Sequence, residues 1–312
     1  VLVATYNYVP FYVGMENGDG LEGAVPFMLV RSRMTGTRLI SLPFTSYCTS
    51  LMPGSALEEV VRFALQNNPR IDFLELKQLE QVADAEAFLE QKTAYTTHIL
   101  NLEAGPDQLL KSFHSTSVRQ RIRRAERDRL TVRLAENERD LKAFYRLHIL
   151  SRQKHGLPPH PYAFFANMWH TLRPRHFLLV PMVEREGKVI GAAIVLKFRD
   201  TFHFEYSAAD QESLSSSPNQ VLTWETIKIA CNEGAKYFDF GRSSSAHLTL
   251  IEAKERWMAR RQDLNYYYFP KGNGTLSESE NCVKRQLLVR INRLLPSRLL
   301  ELEGKFLYPH LG

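Results

Sequence analysis

At 312 residues, with 44% hydrophobic and 24% charged side chains, the chain has the make-up of an ordinary globular protein with room for two domains rather than one. No stretch approaches the roughly eighteen apolar residues of a membrane-spanning helix, and Cys48, Cys231 and Cys282 lack CxxC or Cys/His spacing, which argues against structural zinc and for a reducing, cytoplasmic compartment. The net charge of +6 and pI near 9.2 favour an anionic partner wherever the charge is clustered.

The sequence starts without methionine and alternates like a strand, so residues preceding Val1 are expected to be missing. Residues 1–13 and 23–31 read as a hairpin around the turn-forming 16–20, and 38–47 as a further strand leaving into a polar loop that carries Tyr47. Ser55 is placed to cap a helix running to about residue 66, and strands follow at 71–77 and 93–102. Such alternation predicts an α/β layer domain over 1–105, ending at Gly105, Pro106 and Asp107.

A second domain is then expected over 106–254. Its helix at about 115–129 has a thin apolar stripe of Val118, Ile122 and Ala125, with six arginines in the eleven residues from Arg119 to Arg129. Two readings fit: a solvated face with Glu126 and Asp128 as counter-charges, or a docking surface for a polyanion in which Arg119 and Arg123 hold phosphate. A strand at 130–135 and a long helix over 136–156 come next. That helix stops at Gly156 and the prolines of 158–161, with His155, a general base by residue type, beside the turn.

Strands at 176–184, 189–198 and 202–209 make a meander, with Glu205 and Tyr206 at its end. A helix over 219–232 follows, with Asn219 at its start. The junction before it, SAADQESLSSSPNQ, holds neither glycine nor a basic residue.

Residues 237–240 form an aromatic strand containing Asp239, which exits through Gly241, Arg242 and Ser243 into a helix predicted at 246–258. Helical spacing puts Leu250, Ile251, Lys254, Trp257 and Met258 on one face, so a lysine sits within an apolar stripe. Burying its ammonium unpaired costs several kcal/mol, and the side chain therefore needs an acid such as Asp239, a route to solvent, or a chemical task. A tyrosine-rich strand, a polar linker over 271–281 and an amphipathic helix at 282–295 complete the chain. That last helix either docks on its own domain or lies on an anionic bilayer.

The run FDFGRS, a lysine three residues before a tryptophan and the tyrosine-rich strand after it resemble the C-terminal signature of FemAB-like proteins of the GNAT acyltransferase superfamily. In that family a phenylalanine usually precedes the lysine, where this chain has Ala253, and a glycine-alanine pair follows the tryptophan, where it has Met258 and Ala259. The SRQKHGLPPHP turn also resembles the family, where it edges the substrate cleft.

The resemblance implies an α/β (α+β) fold of tandem GNAT-like domains with mixed central sheets, the first completed by the chain returning near 255–270, and a C-terminal helical tail over 271–312. It implies transfer of an acyl or aminoacyl group to an amine of an envelope precursor or saccharide. Lys254 would face the developing oxyanion, Tyr206 and Asp239 would orient the cleft, and Gly241, Arg242, Ser243, Trp257, His155 and Tyr47 would contact substrate. No metal and no tightly bound cofactor is implied. The donor would be an aminoacyl-tRNA or an acyl-CoA, with Arg119, Arg123 and Asn219 on its anionic part. GNAT enzymes that use coenzyme A normally hold its pyrophosphate on a basic, glycine-rich loop before the last helix, which this junction lacks. A non-catalytic binding or membrane-peripheral module is the remaining alternative; the expected location is the cytoplasm, with the inner face of the membrane as an option, and oligomeric state is left open.

Overall fold

The computed structural model describes residues 1–271 and 283–311 apart from Asp19, 53–55 and 83–84; the Ser55 cap, most of the 271–281 linker and Cys282 lie outside the described residues. The elements are α1 (Leu2–Tyr6), β1 (Val9–Asn17), β2 (Gly20–Ser32), β3 (Gly36–Ile40), α2 (Leu57–Asn67), β4 (Phe73–Gln78), β5 (Glu90–Asn101), α3 (Gly105–Ser112), α4 (Gln120–Arg127), β6 (Thr131–Leu134), α5 (Glu138–Lys154) and α6 (Tyr162–Leu172). The chain continues with β7 (Leu178–Leu179), β8 (Pro181–Arg185), β9 (Lys188–Phe198), β10 (Thr201–Ala209), α7 (Pro218–Asn232), β11 (Tyr237–Asp239), β12 (Ser243–Ser244), α8 (Leu248–Glu255), β13 (Arg260–Phe269), α9 (Val283–Leu294) and α10 (Ser297–Leu311).

One mixed sheet runs through the whole molecule in the order β1-β2-β3-β4-β13-β5-β11-β10-β9-β8-β6. Its pairs are antiparallel except β3 with β4 and β10 with β11. Those are the two places where a helix, α2 or α7, crosses over between neighbouring strands, as parallel pairing requires. Each half of the sheet is thus a meander followed by strand, helix and parallel strand, a repetition the letters of the sequence do not display. β13 returns from the far half to lie between β4 and β5.

Four clusters of buried side chains fill the layers. On β10 and β11 the pleat sends Phe202 and Phe238 to one face, against α4 and α7 (Ile122, Leu222, Trp224). Ile194 and Ala208 face the opposite layer of α5 and α6, with Phe144, Phe165 and Trp169.

Several expected elements differ in the structure, each because tertiary packing overrides local pattern. Residues 2–6 are helical rather than strand, burying Leu2 and Tyr6, and Asn7 ends that helix in the left-handed region at φ 58°. The strand expected over 38–47 stops at Ile40, and the following loop has Leu42 and Phe44 at positive φ. The arginine-rich helix is broken into a π-type turn over Ser115–Arg119 and α4, while Val118, Ile122 and Ala125 do form its buried stripe. Residues 176–184 split into β7 and β8. The helix expected over 246–258 is only Leu248–Glu255, because Met258 takes φ 58°. It buries Ile251, Lys254 and Trp257 but leaves Leu250 and Met258 exposed. The tail contains a second helix, α10, that the sequence reading does not include. No described helix is long and apolar enough to cross a membrane.

Candidate active site

The parallel pair β10–β11 is hydrogen-bonded only over Thr201–His203 and Tyr237–Asp239. Beyond it the two strands part, and the polar side chains at the fork are those the chain has least reason to bury. On β10 the register against β9 shifts between Phe204 and Tyr206, leaving Glu205 as an unpaired bulge residue. The shift turns Tyr206 to the α5–α6 face, where its ring stands edge-on to His160 at 5.5 Å and to Phe165 at 5.4 Å.

Asp239, only 1% exposed, is the hub. Its carboxylate accepts from Tyr47 Oη at 2.9 Å, from Thr97 Oγ1, and from the Gly241 amide at 2.8 Å, and His203 Nδ1 lies 3.4 Å away. These donors hold it ionised, so its pKa falls below the usual range although burial pushes the other way. Burial also works against charge on His203, but the neighbouring Asp239 carboxylate outweighs it and raises the imidazole pKa.

Gly241 carries φ 72°, and a Cβ there would stand 3.1 Å from the Phe204 carbonyl, so the turn is built for glycine. Its carbonyl accepts from Lys254 Nζ at 2.6 Å, and the Arg242 carbonyl lies 3.5 Å from the same nitrogen. Lys254 is 9% exposed, and desolvation lowers its pKa to about 8 even though Asp239 and Glu205 pull it up. Burial raises Glu205 to about 7, against the opposing pull of His203, Arg242 and Lys254. A carboxyl group and an ammonium with pKa values drawn together toward neutrality are equipped for proton transfer and for charge stabilisation.

Two cavities lie near the β10–β11 pair, lined by neighbours of the fork residues rather than by Lys254, Asp239 or Glu205 themselves. One, of about 440 Å³, lies on the α7 side and is lined by Thr116, Ser117, Arg121, Asn219, Arg256 and Trp257 among others. Here α7 begins at Pro218 after Ser217 in the left-handed region, so the Asn219 and Gln220 amides have no partner within the helix and point their positive end at the cavity. The junction before α7 is devoid of basic residues, but Arg121 from α4 and Arg256 from the end of α8 converge on it. The other cavity, of about 870 Å³, opens on the opposite face between the two halves of the sheet, with Tyr47, Ile99, Thr201, Tyr237, Arg260 and Arg261 in its lining. Lys254 is next in sequence to Ala253 of the first cavity, and Asp239 is bonded to Tyr47 of the second.

The structure thus gathers Lys254, Asp239, Gly241 and Tyr47 in one place, with Tyr206 beside them. Arg242 lies over the Tyr95 ring at 4.4 Å and donates to Tyr266 Oη at 3.0 Å; Ser243 is buried with its hydroxyl unpartnered. Trp257 packs edge-on to Phe113 at 5.1 Å in the wall of the first cavity. His155 is exposed at the end of α5 and touches none of the fork residues; the histidine at the fork is His203. Asn219 lines the first cavity, whereas Arg123 is exposed on the outer face of α4 and Arg119 is half-buried, its Nε without a partner. Glu205, His203, Arg121 and Arg256 were not singled out as site residues from sequence. For Glu205 a signal existed, a carboxylate in an otherwise aromatic and small-residue strand. Arg121 belongs to the arginine-rich helix for which a polyanion surface is one reading, but its meeting with Arg256 gave no signal, since α4 and α8 come together only in the fold.

Residues 112–257, which include the fork and the first cavity, match the family of acetyltransferase (GNAT) domains. That segment is a GNAT domain. The fold of the chain resembles the crystal structure of FemX, with a TM-score of 0.70 at 14% identity over 85% of this chain and 90% of that one. The L-PGS structure from Bacillus licheniformis aligns with a TM-score of 0.55 at 10% identity over 94% and 90% of the two chains. A tandem GNAT protein from the clavulanic acid biosynthesis pathway gives 0.56 at 11% identity over 84% and 82%. No curated protein matches the sequence. The GNAT domain makes the protein an acyltransferase, and the fork between β10 and β11 is the part of that domain where its buried charges converge.

Proposed function

We propose that this protein forms an amide by moving an acyl or aminoacyl group from an activated ester or thioester to the amine of a saccharide or cell-envelope precursor. The observation that carries this is the fork itself: a buried ammonium and a neutral-range carboxyl group are held together there, the chain neighbours of Lys254 lining a cavity suited to anions and the Asp239 partner Tyr47 lining a larger one. The donor's phosphates sit against the Asn219 and Gln220 amides, Arg121 and Arg256. The acceptor lies in the larger cavity, with Tyr47 and Tyr237 offering ring faces and Arg260 and Arg261 offering charge.

The acceptor amine attacks the donor carbonyl, and the Glu205 carboxylate takes the proton that leaves the nitrogen. Lys254 faces the oxyanion of the tetrahedral intermediate. Collapse breaks the C–O or C–S bond, and the proton held by Glu205 passes to the departing oxygen or sulfur. Asp239, fixed by Tyr47, Thr97 and Gly241, holds the fork in register and keeps positive charge on His203 and Lys254.

An aminoacyl-tRNA is the preferred donor, because Arg123, Arg124 and Arg127 extend the basic surface of α4 outward from Arg121 and give a polynucleotide backbone a path away from the cavity. Acyl-CoA is the second reading, favoured by the free amides at the start of α7, which can hold a pyrophosphate alone. A thermal-shift panel of charged tRNA, acetyl-CoA and neither tests both. Stabilisation by tRNA that fades with salt and is abolished in Arg121→Glu supports the first, stabilisation by acetyl-CoA alone supports the second, and a shift with neither donor defeats the enzymatic reading. We infer a cytoplasmic location, because both proposed donors are made there, with work at the inner face of the membrane if the acceptor is lipid-linked.

A further inference from the structure

The helix α10 packs inward through Leu300, Gly304 and Tyr308, spaced four residues apart on one face. Contact there is close enough that a Cβ on Gly304 would lie 2.0 Å from the Pro159 carbonyl. The opposite side of the helix is unusual for a solvent-facing surface. Leu299, Leu302 and Phe306 stand on it at 51%, 62% and 63% exposure, in line along the axis. Arg298 and Lys305 flank the row and are exposed too. Both acids of α10 turn away from it: Glu301 bonds to Tyr145 and Glu303 accepts from Asn292. The preceding helix repeats the pattern, with Leu288, Ile291 and Leu294 exposed beside Arg290 and Arg293.

A second feature adjoins the row. Between α10 and the start of α6 lies a cavity of about 470 Å³, whose lining joins Arg298, Leu302 and Lys305 to Pro161, Tyr162 and Ala163. Glu301 and Tyr145, bonded to each other, also line it. The Tyr162 hydroxyl is buried there without a hydrogen-bond partner. An apolar ridge with cations at its edge, next to a recess holding two cations and a free hydroxyl donor, has the chemistry of a lipid surface with anionic headgroups.

We propose that the outer face of α10, continued by α9, docks on an anionic bilayer, the apolar row entering the acyl boundary while Arg298 and Lys305 meet lipid phosphates. A second copy of the chain suits the surface less well, because a two-fold interface would set its cations against one another. The row also lies on the outside of a surface helix, where a plane fits and an extended peptide finds no groove. The inner side of the same helix leads to the fork: Tyr308 stacks on His160 at 3.8 Å, and His160 meets Tyr206. Docking would therefore leave α10 and the Tyr308–His160–Tyr206 stack between the membrane and the candidate active site. The inference rests on the surface alone and stands whether or not the proposed chemistry does.

Flotation of the full chain with vesicles tests it. Binding is expected to phosphatidylglycerol-rich vesicles, strongly reduced on pure phosphatidylcholine and weakened by salt. The Leu299→Ser/Leu302→Ser/Phe306→Ser variant, whose melting curve should match the wild type because the three side chains are exposed, is expected to lose binding. Arg298→Gln/Lys305→Gln is expected to bind about 25-fold more weakly, from about fivefold per cation near an anionic surface. No binding by well-folded protein, equal binding to neutral and anionic vesicles, or full binding by either variant would each overturn the proposal. So would a concentration-dependent dimer that disappears in the triple-serine variant, which would assign the face to a second copy.

Discussion

Replacing Lys254 by methionine separates a chemical role from a structural one. In the wild type the ammonium gives hydrogen bonds to the Gly241 and Arg242 carbonyls and sits close to Asp239 and Glu205. Methionine fills a similar volume without the charge. The lost bonds cost about 1–3 kcal/mol, but the relieved desolvation of a buried cation offsets much of that, so the melting temperature should move little. The rate should move a great deal: loss of one group facing an oxyanion costs about 2.7–4 kcal/mol, a fall of roughly 100-fold to 1000-fold in kcat. The pH profile adds an independent readout. Wild-type turnover should rise with pH as Glu205 deprotonates through about 7 and fall as Lys254 loses its proton through about 8, giving a narrow bell. In Lys254→Met the alkaline limb should vanish, and the acid limb should move upward because Glu205 loses a cation that holds its pKa down. Single-turnover donor consumption with an amine acceptor present, followed across pH beside a melting curve, measures all three. Turnover within about tenfold of wild type, less than about 1.4 kcal/mol of barrier, would refute the oxyanion role. An unchanged alkaline limb would do the same.

Glu205→Gln should lower kcat by about 100-fold or more and remove the acid limb of the profile; survival of that limb would assign the proton acceptor to another group. Asp239→Asn puts an amide where three groups donate, and should destabilise the protein by about 2–4 kcal/mol in chemical denaturation while also depressing turnover. Gly304→Ala drives a methyl group toward the Pro159 carbonyl, 2.0 Å away on ideal geometry, and should cost about 1–3 kcal/mol. Limited proteolysis should then cut first in the tail beyond residue 283. Arg256→Glu should raise the KM or Kd for donor with little change in the fold, and show a weaker response to salt than the wild type.

The local rules of the chain settled a good deal by themselves. Alternation and turn residues marked the β8–β9–β10 meander, and the stripe of Val118, Ile122 and Ala125 marked the buried side of α4, because both signals repeat within two to four residues along the chain. The same periodicity identified Lys254 as a cation in an apolar stripe, and FDFGRS with the tyrosine-rich strand carried the likeness to FemAB-like proteins. What surrounds that lysine depended on long-range pairing. The bulge that frees Glu205 arises only when β10 is laid against β9. Arg121 and Arg256 lie 135 residues apart and meet because α8 ends beside α4. Tyr47 reaches Asp239 across 192 residues, from a loop that local pattern had drawn as strand. Side-chain spacing says which face of an element is buried; which other element covers that face, and therefore which charges are forced together, is decided by the order of strands in the sheet.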